Sequence, residues 1–187
     1  MINAIPLDKH TCLFYNSKDE LVEFLAPYFK TGLENNEFCV WVVPETFEAG
    51  DAKIALSKAV KNLDYYIEKG KMRIGTCGEY YLASGVFTAF KMLEYWAKME
   101  KEVLDQGFDG MRVAGDGGWG LGEQWINLSY YEEEISNSID KLRITAICTY
   151  PVDKLSLKQL FHIGKTHGLS FAKQMGEWAK IDSARFK

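Results

Sequence analysis

No C-x-x-C pair occurs in this sequence; its four cysteines, Cys12, Cys39, Cys77 and Cys148, are scattered along 187 residues. That spacing argues against a disulfide framework. Positive charge is also short, with 22 Lys+Arg against 26 Asp+Glu and a net charge of -4. No basic field therefore favours nucleic acid or an anionic membrane, and neither is expected as a partner. No apolar run is long enough to span a bilayer, and Met-Ile-Asn-Ala at the start does not read as a signal peptide. The cytoplasm is the expected location. G-x-S-x-G and H-E-x-x-H are both absent, so no nucleophile and base are paired by a recognisable motif.

What is present fits one domain over residues 1–187, with 47% hydrophobic residues to build a core. Aromatics are plentiful and include the pairs Tyr65-Tyr66, Tyr80-Tyr81 and Tyr130-Tyr131. Apolar strand-like runs alternate with helical patterns. HTCLFY (His10 to Tyr15) reads as a strand, and Ser17 with Glu20 has the spacing of a helix capping box. The helix that follows carries Leu21, Leu25, Tyr28, Phe29 and Leu33 on one stripe, with a kink expected at Pro27. FCVWVV (Phe38 to Val43) is apolar throughout, as in a strand covered on both faces. A helix is expected from about Asp51 to Leu63, and a weaker strand at Met72 to Thr76. Ser84 is expected to cap a long helix bearing Phe87, Phe90, Leu93, Trp96 and Leu104. GMRVAG (Gly110 to Gly115), a helix to about Asp140, RITAICTY (Arg143 to Tyr150) and a helix capped by Ser156 and Gln159 complete the alternation. The tail from Leu169 to Lys187 fits either strand or helix. This order predicts an α/β fold with a mainly parallel sheet and helices on both faces.

Gly115, Gly117 and Gly120 form G-x-G-x-x-G, a spacing that can cradle a phosphate. A dinucleotide fingerprint needs those glycines after the first strand and an acidic residue ending the next strand. Here they follow the fourth strand, the fifth ends in Thr149-Tyr150, and Asp116 puts a negative charge in the loop. Gly164-Lys165-Thr166 ends like a P-loop, but Gln159 stands where the earlier glycine is required, and the tripeptide lies near a helix end. The turn after the first strand, YNSKDE, has no glycine at all. No nucleotide or other cofactor is expected.

Several pieces occur in a telling order: HTCLFYNSKDEL (His10 to Leu21), GLENNEFCVWV (Gly32 to Val42), YYLASGVF (Tyr80 to Phe87), GMRVAGDGGW (Gly110 to Trp119), YEEEISN (Tyr131 to Asn137), ICTY (Ile147 to Tyr150) and Thr166-His167. In this order the chain resembles the MEDS domain, the methanogen/methylotroph DcmR-type sensory domain, over about residues 10–168. Two positions depart from the pattern. Pro151 follows Tyr150 where the family often has an acidic residue, and Gly168 follows His167 where proline is common. Residues 169–187 form an extension beyond the resemblance. The resemblance implies a RecA-like core that has lost its P-loop, and a sensory role. The implied ligand is a small organic molecule such as a one-carbon or simple hydrocarbon derivative. Such domains usually accompany a kinase or a DNA-binding domain. With neither in this sequence, a separate signalling protein is the expected partner, and a homo-oligomer is compatible.

In an open parallel sheet, ligands bind beyond the carboxyl ends of the strands. Tyr15, Asp116, Trp119 and Tyr150 should gather there, with Tyr81 and Glu132 reaching in from adjoining elements. Together they would supply aromatic walls with hydroxyl, indole and carboxylate anchors for a weakly polar molecule. The plainer alternative is a tight loop with Trp119 plugging the core. Arg112 needs a carboxylate partner if buried, and is expected to support the loop from beneath. Asp116, roughly 13 Å along the strand, and Glu79, Glu123 and Glu132 are candidates. His10 and Cys12 alternate onto one strand face, and with Cys148 they approach a metal-ligand set. Zinc ligands are normally more closely spaced, and a lone histidine is more often a bonded core residue, so no metal is expected. His167 is expected to bond to the carbonyls ending its helix. A non-catalytic sensory module is the preferred reading, against a degenerate RecA-like phosphohydrolase, a thiol enzyme using Cys12 or Cys148, or a purely interacting oligomer.

Overall fold

The computed structural model describes residues 8–83 and 85–182. The strands are β1 (His10–Tyr15), β2 (Glu37–Val43), β3 (Met72–Thr76), β4 (Gly110–Asp116), β5 (Ile144–Pro151), β6 (Leu169–Gln174) and β7 (Glu177–Asp182). The helices are α1 (Lys18–Glu34), α2 (Ala49–Ser57), α3 (Leu63–Glu68), α4 (Cys77–Tyr80), α5 (Ala89–Asp105), α6 (Trp125–Ser138) and α7 (Leu157–Thr166). One sheet takes the order β3-β2-β4-β5-β1-β6-β7. Every neighbouring pair is parallel except β6 with β7. β1 lies between β5 and β6, and both its faces are buried. That explains its unbroken apolar run, since parallel strands covered on both sides need no polar alternation.

The pleat divides each strand between two cores. Leu13, Cys39, Trp41, Ala114 and Ile147 face α1, α2 and α3. Cys12, Val40, Val42, Val113, Cys148 and Tyr150 face α5, α6 and α7. The α1 stripe is buried at Leu21, Leu25, Tyr28, Phe29 and Leu33, and the helix runs on through Pro27.

Two expectations change, and the open question of the tail is decided in favour of strand. The helix expected over residues 51–63 is two helices, α2 and α3, separated at Asn62, whose φ of 60° is left-handed. The long helix starts at Ala89, with Thr88 at its N-cap, and Ser84 lies outside the described residues. Its buried stripe is Ala89, Met92, Trp96, Met99 and Val103, whereas Phe90 is 69% exposed. The tail forms a hairpin turning at Met175 and Gly176, with φ of 51° and 85°. Positive φ at both turn residues matches the twist of the flanking strands. Trp178 then packs edge-on against Phe24, with ring centroids 4.9 Å apart. Among the described residues no helix is long and apolar enough to cross a membrane.

Candidate functional site

Alternation along the strands separates the residues expected at the carboxyl edge. Tyr15 and Thr149 lie on the α1 face, and both bond to Asp116. Cys148 and Tyr150, one residue to either side of Thr149, point to the α5–α6 face. The expected single cluster is therefore two clusters, one on each side of the sheet, because adjacent side chains of a strand point oppositely.

On the α1 face, Asp116 is buried and fully engaged. Its carboxylate accepts from the Tyr15 hydroxyl at 2.8 Å, Thr149 Oγ1 at 3.2 Å and the Gly118 N–H at 2.9 Å. Burial raises its carboxyl from 3.8 to about 6, partly offset by these three donors. Burial and the facing Asp116 also push the Tyr15 phenol up. Asp116 thus anchors the turn that enters the Gly-rich loop. A cavity of about 210 Å³ lies at this strand edge, lined by Tyr15, Lys18, Glu45, Asp116, Trp119 and Asp153, among others.

A larger cavity, about 330 Å³, lies over β4 and β5 beneath α5 and α6. Its wall is mainly apolar, with Trp96, Val113, Leu128 and Ile135, and with Tyr81 and Trp119 towards the carboxyl end. Glu94 and Lys141 are exposed residues on its lining. Tyr81 and Trp119 stack with ring centroids 5.4 Å apart, and Phe87 meets Trp119 at 4.6 Å. Trp119 thus lies between the two cavities and lines both. Leu128, Tyr131 and Ile135 of α6, which line the cavity, were not legible as site residues. Their apolar spacing on helices marks a core face equally well.

The Gly-rich loop serves this cavity face by leaving room for phenols. A Cβ on Gly115 would lie 2.2 Å from the Tyr81 hydroxyl, and one on Gly117 would lie 2.2 Å from Tyr150 Cε1. Close approach of aromatic side chains accounts for these glycines without any phosphate.

Behind the larger cavity lies a buried polar cluster. Glu132 of α6 and Cys148 of β5 are part of the cavity wall. Glu132 Oε2 is 3.2 Å from His10 Nε2 and 3.2 Å from His167 Nε2. His10 Nε2 is also 3.3 Å from Cys148 Sγ, and the two imidazoles lie with ring centroids 3.9 Å apart and planes tilted by 32°. Tyr150 donates its hydroxyl proton to Glu132 Oε1 at 2.5 Å. Burial, followed by the facing His167, lowers His10 from 6.5 to about 4. For Glu132, burial acts upward, but the contacts with His10 and His167 prevail and hold the carboxyl well below the usual range. Burial pushes the Cys148 thiol well up, and the Glu132 charge adds to this. The set of two imidazoles, one carboxylate and one thiol, with donor atoms within 4.8 Å of one another, has the composition of a metal-ligand group. His10 and Cys148 meet, although their spacing is not that of a recognised metal motif. Cys12 is outside this set, and Glu132 and His167 complete it. His167 also bonds to the Ile163 carbonyl of its own helix at 2.8 Å.

Arg112 stands apart from both clusters. Its guanidinium pairs with Glu37 of β2, bonds to the Tyr28 carbonyl at 3.2 Å and lies over the Tyr28 ring. The expected support of the loop from beneath is corrected to a clamp between α1, β2 and β4. The reason is register: Arg112 sits four residues before Asp116, opposite Cys39 of β2. Glu79, another partner considered, instead caps α4 by accepting from the Thr76 N–H at 2.7 Å.

The turn between β1 and α1 stands where a parallel α/β fold would place a phosphate loop. Here Glu20 accepts from the Asn16 N–H at 2.8 Å and from Asn16 Nδ2 at 3.1 Å. A carboxylate of the protein itself therefore takes up donor capacity that an anion would use.

The fold is similar to two solved archaeal structures. The KaiC-like protein PH0186 from Pyrococcus horikoshii OT3 aligns with a TM-score of 0.61 at 16% identity, covering 91% of this chain and 75% of that one. The flagellar accessory protein FlaH from Methanocaldococcus jannaschii aligns at 0.55 and 12% identity, covering 95% and 77%. At these identities the likeness concerns the fold alone, which is RecA-like α/β. No curated protein matches the chain. The model of one family spans most of the sequence, residues 9–168, and covers every element from β1 to α7. The chain belongs to the MEDS family, the MEthanogen/methylotroph, DcmR Sensory domain.

Proposed function

We propose that this chain is a non-catalytic sensory domain that holds a small, weakly polar organic molecule in the cavity between β4–β5 and α5–α6. The observation that carries this reading is the cavity itself. Its volume of about 330 Å³ lies at the lower end of ligand-pocket sizes, and its wall is mainly apolar with few polar groups. A one-carbon or simple hydrocarbon derivative suits such a wall better than a phosphorylated molecule does. Of the lining residues with polar atoms, Tyr81, Trp119 and Glu132 are the ones assigned to orient it. Tyr150 acts through Glu132, and Tyr15 and Asp116 act through the loop. The signal then passes to a separate protein, α5 and α6 being the elements that a ligand would push apart.

A thiol enzyme is the second reading, favoured by the 3.3 Å contact of His10 with Cys148. Against it, burial and the Glu132 carboxylate keep that thiol protonated. A phosphohydrolase has less support, since Glu20 occupies the donor of the β1–α1 turn.

Trp96 and Trp119 line the cavity, so intrinsic fluorescence reports occupancy. We expect saturable fluorescence change with members of a panel of short-chain alcohols, halomethanes and alkylamines. Val113→Phe, which adds bulk to the cavity wall, should weaken it roughly tenfold or more. If no panel member gives a saturable change, or if Val113→Phe binds as tightly, the reading fails. Turnover of a bound compound would instead favour the enzyme.

A further inference from the structure

We propose that His10, Glu132, Cys148 and His167 bind one divalent transition-metal ion of the zinc class. The donors come from four separate elements: the start of β1, the middle of α6, β5, and the residue after α7. Their ligand atoms all lie within 4.8 Å of one another. Three of the separations are 3.2, 3.2 and 3.3 Å. Tetrahedral zinc with bonds of about 2.0–2.3 Å needs ligand atoms roughly 3.3–3.8 Å apart. Little movement separates this arrangement from coordination.

The hydrogen bonds outside the cluster orient the imidazoles for this role. The Ser136 hydroxyl donates to the Thr166 carbonyl, so its oxygen accepts from His10 Nδ1–H at 2.9 Å. His167 Nδ1–H donates to the Ile163 carbonyl at 2.8 Å. With Nδ1 engaged outside the cluster in each ring, both Nε2 atoms face Glu132 Oε2. This is the second-shell pattern that prepares histidine for a metal. Among the described residues, the buried Glu132 Oε2 and His167 Nε2 have no hydrogen-bond partner. These two unpartnered atoms lie 3.2 Å apart, and His10 Nε2, in contact with Cys148 Sγ, is 3.2 Å from the same carboxylate oxygen. A cation at the centre of the four residues would meet all of these donor atoms at once. Nitrogen and sulfur donors select zinc-like ions over magnesium and calcium, which prefer oxygen.

The inference goes beyond the cavity reading and does not depend on it. Metal uptake and ligand uptake are measured separately, so either can fail alone. The test is a cobalt(II) titration of the chelator-treated full chain, followed in the visible and near-ultraviolet, with displacement by zinc. One equivalent per chain is expected, with tetrahedral visible bands and a thiolate-to-cobalt band. Cys148→Ser should lose the thiolate band, while Cys12→Ser should keep it. His167→Gln should weaken binding by more than the roughly 10–100-fold typical of lost second-shell partners. Circular dichroism confirms that each variant is folded. The wild-type titration decides the matter even where a variant is not. Absence of stoichiometric uptake, uptake without a thiolate band, or a band that follows Cys12 would overturn the site and leave two histidines closed by protons alone.

Discussion

Gly117 lies against the ring of Tyr150 so closely that a Cβ on it would come within 2.2 Å of Cε1. The same Tyr150 donates to Glu132, so backbone position in the Gly-rich loop is linked to the buried cluster. Gly117→Ala should therefore cost about 1–3 kcal/mol, the usual cost of overpacking, and displace the phenol. Gly122→Ala is the control, since a Cβ there meets nothing within 4 Å. Urea denaturation of the two variants checks the contrast, and equal stability would contradict it.

Asp116 gives a pH dependence of definite sign. Its carboxyl is raised from 3.8 to about 6, so the folded chain holds this proton more tightly than the unfolded chain. Below the unfolded value the group contributes nothing. Through the interval up to about pH 6, the folded state loses stability as pH rises, towards about 3 kcal/mol at neutrality. Asp116→Asn cannot titrate. The variant's stability minus that of the wild type should rise between pH 4 and 7, measured by urea denaturation at each pH. A flat difference would show that the carboxyl is not raised.

The four cysteines should be reduced and slow to react in the native chain, because all four are free and buried. Burial raises each thiol, which lowers the reactive thiolate fraction. A thiol reagent should label them slowly in buffer and rapidly in denaturant. Fast native labelling of Cys148 would instead favour the thiol-enzyme reading.

Nucleotide should not bind specifically. Glu20 accepts the Asn16 N–H at the β1–α1 turn, and Asp116 carries its carboxylate into the Gly-rich loop. Calorimetric titration with ATP and magnesium should give no saturable heat at micromolar concentration. Saturable binding there would restore the phosphohydrolase reading.

The glycine spacing of residues 115–120 shows the limit of a motif read without its surroundings. The spacing can serve a phosphate, but its use depends on what approaches the backbone. In the fold these are Tyr81 and Tyr150, supplied from elsewhere in the chain. The hairpin at Met175-Gly176 was hidden for a different reason. The turn lacks the Asn-Gly or Asp-Gly signal, and Trp178 takes its partner, Phe24, from α1.

The local order of elements was determined by the sequence itself. Buried parallel strands need continuous apolar runs, as in FCVWVV, and helices need caps, as at Ser17 and Ser156. Both signals lie within a few neighbouring residues. The order of motifs likewise carried the family. What only tertiary structure decided is which polar residues meet. Strand order brings β1 beside β5, and the pleat sends Thr149 to Asp116 but Cys148 and Tyr150 to Glu132. The meeting of His10, Glu132, Cys148 and His167 spans most of the chain. No spacing encodes it, because donors so far apart in sequence become neighbours only when the sheet and both helix layers have formed.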